Sequence, residues 1–262
     1  MQKGSNSCES TFLILCSFFK LHVQKMRKMK KIDICLSPEM IHLYDLKGKV
    51  AVVVDVLRAT TCMVTGIAKG IPSITPVAHL EECKVLQEKG YIAAAERGGA
   101  KVDGFDMGNS PYSYMEAATT GKKVAATTTN GTLAITKSAD ADEIIIGAFI
   151  NLEAVTNYLA AQDKDVVIVA AGWKGKFNLE DSLFAGALAE ALEGQFEFAD
   201  DASLAMKVLY KAVKHDLLGF LAASSHAKRL AKMNIQKDIE FALTPNQYDI
   251  VPIVRNGEIV KP

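Results

Sequence analysis

The stretch KVAVVVDVLRATTCMVTGIAKG, residues 49–70, decides the fold. Its five apolar residues at 50–54 precede Asp55 and Arg58, and a run of small, helix-compatible residues then ends at Gly70. An apolar run without alternation is typical of a strand covered on both faces, so we predict a strand, a charged turn and a helix in a parallel or mixed sheet. Ligands of such sheets bind at the carboxyl ends of strands, where Asp55 and Arg58 lie. The alternative is that Asp55 only caps the helix and Arg58 is a solvated charge.

The composition is that of an ordinary globular protein. The 262 residues are 49% hydrophobic and 23% charged, which suits one large α/β domain or two intimate ones. Thirty basic and thirty acidic residues cancel, so the chain lacks the basic excess that binds nucleic acid or an anionic membrane. The five cysteines show neither metal-ligand nor disulfide spacing, which favours reduced thiols. We expect a cytoplasmic protein without nucleic acid or membrane partners, and a homo-oligomer is compatible with these numbers.

The first thirty residues are expected to lie outside the folded domain. The apolar run at 11–19 is too short to span a bilayer, and no small-residue cleavage site follows it. Translation from Met26 or Met29 would give a basic opening into a first strand at 32–35. We therefore predict that residues 1–30 are an extension and that residues 31–262 form the α/β domain.

Helix signals and short apolar runs alternate along the rest of the chain. A capping serine followed by proline predicts helices that begin at Ser37 and at Ser110, the second ending at Gly121. Residues 195–233 are expected to be mostly helical, and short strands are predicted near 238–242 and 250–254. Together these elements predict a three-layer α/β/α fold.

A second βα unit repeats the outline of the first. An apolar strand that starts at Asp165 is followed by a charged, glycine-containing loop and an alanine-rich helix. The similarity is compatible with an internal duplication, although any two βα units of a doubly wound protein resemble each other.

Polar residues suited to a metal ion and an anion follow four of the predicted strands. The acidic ones are oxygen ligands of the type that Mg²⁺ takes, usually one or two at a time with waters. The basic ones can stabilise the charge that a phosphoryl group develops in its transition state. The acidic residues are Asp55, Glu96, Glu180 and Asp181, and the basic residues are Arg58, Arg97 and Lys174. Since the carboxyl ends of parallel strands share one edge of a sheet, we expect these loops to meet there.

The turn at 128–132 is a candidate phosphate site. A strand-to-helix turn that contains glycine offers backbone amides to an anion at the helix N-terminus. The residues concerned are Thr129, Asn130, Gly131 and Thr132. The alternative is an ordinary Asn-Gly turn, a dipeptide common wherever a positive φ is needed.

Several of these residues also have a purely structural interpretation. Asn178 can cap the next helix with Asp181 at its third position, which would leave Glu180 and Asp181 as partners of the helix dipole. Trp173 is compatible with simple core packing. The histidines in helical surroundings, His79, His215 and His226, have no partners in the local sequence, and we expect them to be structural.

Five strings, taken together, resemble the 2-phosphosulfolactate phosphatase family. They are DVLRATT at 55–61, ERGG at 96–99, GFDMGNSP at 104–111, TTNGT at 128–132 and AGWKGKFNLEDSLFAGAL at 171–188. The resemblance runs from about residue 32 to the C-terminus and implies a three-layer α/β fold. It implies a Mg²⁺-dependent acid phosphatase that converts 2-phospho-3-sulfolactate to 3-sulfolactate and phosphate, a step of coenzyme M biosynthesis. Asn109, in the third string, joins the candidate substrate-binding residues.

A compact polyanionic substrate suits the predicted set of residues. We expect Asp55, with Glu180 or Asp181, to hold Mg²⁺, and the basic residues to bind the anionic groups. Direct attack by water and a phosphoenzyme on Asp55 are both open, although the lack of a DxD pair disfavours the second. Arg58 is expected at an exposed strand edge, so its removal should barely affect stability.

Three other functions compete with this one. A phosphatase of another phosphorylated 2-hydroxy acid could use the same scaffold, and a non-catalytic sensor of such acids would need no metal. A lyase or aldolase with Lys174 as Schiff base is disfavoured, because an exposed loop does not desolvate the amine enough to lower its pKa.

Overall fold

A computed structural model describes residues 29–230 and 235–262. The predicted extension at 1–30 lies almost wholly outside the described residues. The described chain forms one mixed sheet of eleven strands. The strands are β1 (Lys30–Cys35), β2 (Val50–Val54), β3 (Ser73–Pro76), β4 (Ile92–Arg97), β5 (Ala100–Lys101), β6 (Val124–Thr127), β7 (Glu143–Gly147), β8 (Val166–Ala170), β9 (Phe196–Phe198), β10 (Ile253–Arg255) and β11 (Glu258–Val260).

Helices cover the sheet and connect its strands. The α-helices of the described residues are α1 (Ala59–Ala68), α2 (Leu80–Glu88), α3 (Gly131–Lys137), α4 (Leu152–Ala161), α5 (Leu179–Ala191), α6 (Asp201–Val213), α7 (Leu217–Ala222), α8 (Ser225–Leu230) and α9 (Gln236–Leu243). Short 3-10 helices span Pro38–Leu43, Ser113–Met115 and Phe149–Asn151. None of the helices in the described ranges is both long enough and apolar enough to cross a bilayer.

The sheet consists of two parallel groups joined by a hairpin. The strand order is β5-β4-β6-β3-β11-β10-β7-β2-β8-β1-β9. Strands β7, β2, β8, β1 and β9 are parallel to one another, and so are β3, β6 and β4. The hairpin of β10 and β11 pairs antiparallel with β7 on one side and with β3 on the other. The two groups therefore run in opposite directions along the sheet.

Helix α1 lies at the centre of the molecule. All residues from Ala59 to Ile67 are buried, although the helix begins directly after the polar turn. One apolar cluster joins α1 to β2 on one side and to β3, β4 and β6 on the other. A second cluster covers the opposite face of β1, β2 and β8 with α4, α5 and α6. The sheet thus wraps around α1, and the three-layer α/β/α prediction is confirmed.

Two predicted elements differ from the structure. The predicted strand at 238–242 belongs to helix α9, because the apolar residues Ile239, Ala242 and Leu243 recur at helical spacing and are buried on one face. The predicted helix from Ser110 to Gly121 is only one 3-10 turn, which buries Tyr114 against α1. The internal duplication stays a prediction.

Candidate active site

The loops after β2, β4, β6 and β8 meet at one small cleft beside the N-terminus of α1. The sheet brings them together by curving around α1, since β4 and β6 run opposite to β2 and β8. The four loops thus meet as predicted. The prediction that all four strands end at the same edge of the sheet is wrong. The cleft is lined by Asp55, Leu57, Arg58, Glu96, Gly99, Asn109, Asn130, Trp173 and His226.

Asp55 both caps α1 and faces the cleft. Its Oδ1 accepts a hydrogen bond from the Ala59 amide at 3.2 Å, as the structural interpretation expected. Its Oδ2 lies on the side of Gly131, 3.0 Å from where a Cβ at that residue would stand. Burial, reinforced by the nearby carboxylates of Glu96 and Glu180, raises the pKa of Asp55 from 3.8 to about 6. Asp55 therefore titrates close to neutral pH, in the range useful for proton transfer.

The turn before α3 needs glycine because two helices approach closely there. A Cβ at Gly131 would lie 2.5 Å from the Cβ of Ala59. Gly131 does not have a positive φ, so the Asn-Gly turn that we considered is not the reason for this residue. The Asn130 side chain lines the cleft and accepts a hydrogen bond from the Lys174 amide at 2.9 Å. This turn therefore positions two loops as well as bordering the cleft.

The threonines on either side of this turn are occupied by local hydrogen bonds. The Thr129 amide donates to Glu96 Oε2 at 3.1 Å, and the Thr132 amide donates to Thr128 Oγ1 at 3.1 Å. Two of the amides that we expected to meet a phosphate are thus already used. Neither threonine is among the residues lining the cleft.

Arg58 is buried, which corrects the expected exposed position. Only 6% of its surface is accessible, and its guanidinium pairs with Asp238 of α9 and donates to the carbonyl of Gly99 at 2.8 Å. Asp238 accepts a second hydrogen bond, from Ser110 Oγ at 3.0 Å. The sequence analysis missed Asp238 because it placed this residue in a strand, more than a hundred residues from its partners.

Glu96 and Arg97 point to opposite sides, as consecutive strand residues do. The buried Glu96 carboxylate lines the cleft and accepts hydrogen bonds from the Gly99 amide and from Thr129. Arg97 instead donates to Thr127 Oγ1 at 2.9 Å and to the Glu96 carbonyl at 2.7 Å. The structure therefore does not bring Arg97 into the cleft.

Lys174 also lies outside the cleft. It is exposed, has a φ of 50°, and its ammonium is 5.7 Å from the ring centre of Trp173. Trp173 itself lines the cleft and is only partly buried, so simple core packing does not describe it.

Asp181 ties the β2 and β8 loops together. Its Oδ1 accepts from the Val56 amide at 2.8 Å, and its Oδ2 accepts from the Gly172 amide at 3.0 Å and from Asn178 Nδ2 at 2.8 Å. Asn178 is at the N-cap position of α5, but its side chain donates to Asp181 instead of capping the helix. Both carboxylate oxygens are engaged, so Asp181 is a poor candidate for a metal ligand.

Glu180 and His226 form a buried pair, of which His226 lines the cleft. Glu180 is completely buried, and its Oε1 contacts Nδ1 of His226, which is itself 5% exposed. Within the described part of the chain, Glu180 Oε2 has no hydrogen-bond partner. The sequence analysis treated His226 as structural, since its partners lie on α5 and on the β8 loop, where its ring is 5.4 Å from that of Trp173.

The acidic residues fit Mg²⁺ better than a metal that needs a full set of protein ligands. No group of three or more His, Cys, Asp or Glu side chains among the described residues could hold a metal ion. Mg²⁺, however, requires only one or two carboxylates and completes its octahedron with water and substrate oxygens. Burial raises the pKa of Asp181 well above its ordinary value, and the nearby Asp55 and Glu180 raise it further, so these three carboxyl groups lie close enough to repel one another when ionised. The candidate ligands of such a cation are Asp55, which lines the cleft, and Glu180, whose buried Oε2 has no partner among the described residues.

Comparison with known proteins now identifies the family. Residues 35–257 match the family model described as 2-phosphosulpholactate phosphatase. The chain belongs to this family. A protein of Caldanaerobacter subterraneus named "probable 2-phosphosulfolactate phosphatase" is 40% identical over 218 residues, which cover 81% of this chain and 90% of that protein. Proteins with the same name from Clostridium acetobutylicum and Thermotoga maritima are 37% and 36% identical, over 88% and 87% of this chain and over 100% and 97% of their own.

The match confirms the resemblance seen in the sequence. All five strings that carried it lie within the matched segment of this 2-phosphosulfolactate phosphatase family member. Each of the five strings contributes at least one residue to the lining of the cleft.

Proposed function

We propose that this protein is a Mg²⁺-dependent phosphatase that hydrolyses 2-phospho-3-sulfolactate to 3-sulfolactate and phosphate. The proposal is supported by the family membership and by the names of the relatives. The observation that carries it is the cleft, where a carboxylate titrating near neutral pH lies beside a buried arginine. As the family resemblance implies, the reaction would be a step of coenzyme M biosynthesis.

Arg58 and Asn109 would position the phosphoryl group. A guanidinium presents several donors in a fixed fork and stabilises charge on phosphoryl oxygens. Arg58 is held by Asp238 and the Gly99 carbonyl, so it is ordered before substrate arrives. Asn109 is buried at the cleft, and its Oδ1 has no hydrogen-bond partner in the described structure. With the amide turned so that Nδ2 takes the place of this oxygen, Asn109 can donate to a phosphoryl oxygen.

Asp55 would take the proton in direct hydrolysis. The oxygen of a water molecule attacks phosphorus, and the bond from phosphorus to the C2 oxygen breaks. That oxygen takes a proton from solvent to become the hydroxyl of 3-sulfolactate, and Asp55 afterwards returns one proton to solvent. Asp55 accepts the proton that the attacking water loses, because its pKa of about 6 leaves it ionised at neutral pH. Acid quenching of the reaction with ³²P-labelled substrate tests the alternative, since a phosphoenzyme on Asp55 would retain label on the protein.

Asp55 and Glu180 would hold the Mg²⁺. When bound, the ion would supply neutralisation of phosphoryl charge in the transition state. The chain itself contributes the buried pair of Glu180 with His226, which fixes the orientation of the Glu180 carboxylate.

Phosphate release with and without metal tests the proposal. We expect 2-phospho-3-sulfolactate to be hydrolysed in Mg²⁺, hydrolysis to stop in excess EDTA, and added Mg²⁺ to restore it. Undiminished activity in excess chelator would contradict the metal assignment. Faster hydrolysis of 2-phospholactate than of the sulfonated substrate would assign the site to another phosphorylated 2-hydroxy acid. Binding of these esters without phosphate release would indicate a sensor.

A further inference from the structure

A second cavity adjoins the cleft on the other side of Trp173. Its volume is about 330 Å³, and its walls include Asn178, Glu180, Ser225 and Arg229. Trp173 and His226 line both spaces, so the two compartments share a wall formed by these two rings. The two spaces are therefore neighbours, and a ligand that reaches both would lie beside these two rings.

Arg229 supplies an unpaired positive charge to this cavity. Its guanidinium carbon is 4.3 Å from the ring centre of Trp173, a stacking arrangement that holds the side chain in place. Its Nη2 is buried, and no residue in the described ranges accepts a hydrogen bond from it. A buried donor without an acceptor is costly, and one on a charged group is more so. An anion in the cavity would remove this cost.

The substrate has more anionic groups than the cleft can pair. The ester carries a sulfonate and a carboxylate in addition to its phosphate, all on three carbons. Arg58 already donates to Asp238 and to Gly99, and Arg97 and Lys174 lie outside the cleft. The cleft thus offers one arginine for the phosphoryl group and none of the other predicted basic side chains for the remaining charges.

We propose that the second cavity binds a non-reacting oxyanion of the substrate, its sulfonate or its carboxylate, and that Arg229 is the residue that recognises it. This inference rests on the proposed function, because it assigns the second half of the same substrate. Arg229 thereby determines specificity: it selects esters that carry an oxyanion beside the phosphorylated carbon.

Four phosphate esters and two variants test the assignment. Arg229→Met keeps an unbranched side chain beside Trp173 but removes the guanidinium and its charge, and Lys228→Met, its exposed neighbour on α8, is the matched control. The substrates are 2-phospho-3-sulfolactate, 2-phospholactate without the sulfonate, the phosphate ester of 2-hydroxypropanesulfonate without the carboxylate, and isopropyl phosphate with neither. We expect Arg229→Met to lower kcat/KM for the full substrate by about 10- to 100-fold, mainly through KM, the scale of lost charge-assisted hydrogen bonds. Isopropyl phosphate should be hydrolysed at the wild-type rate, and Lys228→Met should match wild type on every substrate.

The pattern across substrates decides the outcome. If 2-phospholactate keeps the sensitivity to Arg229→Met, the cavity binds the carboxylate. If the phosphate ester of 2-hydroxypropanesulfonate keeps it, the cavity binds the sulfonate. An equal loss on isopropyl phosphate, or no loss on the full substrate, would overturn the proposal. Thermal midpoints of both variants would show whether a general loss comes from unfolding.

A failure of the proposed function gives a different result. In that case the wild-type protein hydrolyses none of the four esters. Calorimetric titration with 3-sulfolactate then decides the matter: binding to wild type that is at least tenfold weaker in Arg229→Met supports the cavity assignment. Equal binding by both proteins, or no binding by wild type, overturns it.

Discussion

The loops after β2 and β8 share a sequence outline but differ in what their charges do. The two strands are adjacent, parallel and in register from Val50 beside Val166 to Val54 beside Ala170. Each loop leads into a helix: the first unit has Asp55 and Arg58, and the second has Lys174 in its loop and Asp181 in the first turn of α5. In the β2 loop the base, Arg58, is buried, and both it and the acid, Asp55, line the cleft.

In the unit that follows β8, Lys174 is exposed and both carboxylate oxygens of Asp181 accept hydrogen bonds. Lys174 lies on the surface, and the two oxygens of Asp181 accept three hydrogen bonds. An acid and a base therefore line the cleft in the first unit, whereas the acid and the base of the second unit lie outside it. Burial and hydrogen-bond partners make this difference, and substitutions in both loops can test it.

Arg58→Ala should have the largest effect. It leaves Asp238 buried without its cation, and breaking a buried pair in this way costs about 3–5 kcal/mol of unfolding free energy. Loss of the phosphoryl contact should lower kcat by about 10²–10³. Urea midpoints and kcat measure the two effects. The double variant Arg58→Met with Asp238→Leu should recover stability but not activity, and recovery of both would return Arg58 to a structural role.

Asp55→Asn should abolish activity and yet stabilise the protein at high pH. Folding raises the pKa of Asp55 from 3.8 to about 6, so this group favours the folded state below pH 3.8 and loses that contribution as the pH rises through about 6. The variant should thus be more stable than wild type by roughly 1–3 kcal/mol at pH 8, with the difference vanishing near pH 4. Urea unfolding in EDTA at both pH values measures it. A difference that does not change with pH would contradict the raised pKa.

Asp181→Asn should destabilise the protein near pH 4, where the pKa of Asp181, raised by burial, gives wild type no ionisation cost and only the lost hydrogen bonds count. The amide has one acceptor oxygen in place of two, so its NH₂ must face the donors from Val56 or from Gly172 and Asn178. We expect a loss of about 1–3 kcal/mol in unfolding free energy, the cost of unsatisfied buried donors. Mg²⁺ titration of activity provides the second readout. An unchanged urea midpoint with a much weaker response to Mg²⁺ would show that Asp181 is a metal ligand after all.

Lys174→Ala should have the smallest effect. The side chain is exposed and its ammonium lies 5.7 Å from the ring centre of Trp173, so stability should change by less than about 0.5 kcal/mol. Lys69→Ala, at the exposed far end of α1, is the control and should also leave kcat unchanged. A loss of kcat in Lys174→Ala comparable to that in Arg58→Ala would show that the β8 loop closes on the substrate.

Local pattern was enough to find most of the elements and most of the residues that line the cleft. The apolar run at 50–54 and the glycine at residue 70 bound β2 and α1, and both were predicted. Asp55, Arg58, Glu96, Asn109 and Asn130 were singled out, and all line the cleft. Their loops follow strands, and the chemistry of each residue type is a local property that sequence reveals.

Contacts between distant parts of the chain were beyond the reach of local pattern. Nothing in the local sequence indicates that Asp238 pairs with Arg58 or that His226 pairs with Glu180. In addition, α9 was expected to be a strand. Alternation along a strand predicts that Arg97 and Glu96 point to opposite faces of the sheet. The position of β4 in the folded protein is needed to tell that Glu96 is the one that faces the cleft.

The sequence by itself determined the α/β architecture, the polar loops after the strands and, through five matching strings, the family. The tertiary structure alone decided which charges are buried, which are paired and which remain free. The physical reason is that strand and helix formation depends on the spacing of apolar residues within a few turns of chain. The ionisation and role of a charged group depend instead on desolvation and on partners that a curved sheet brings from far along the chain.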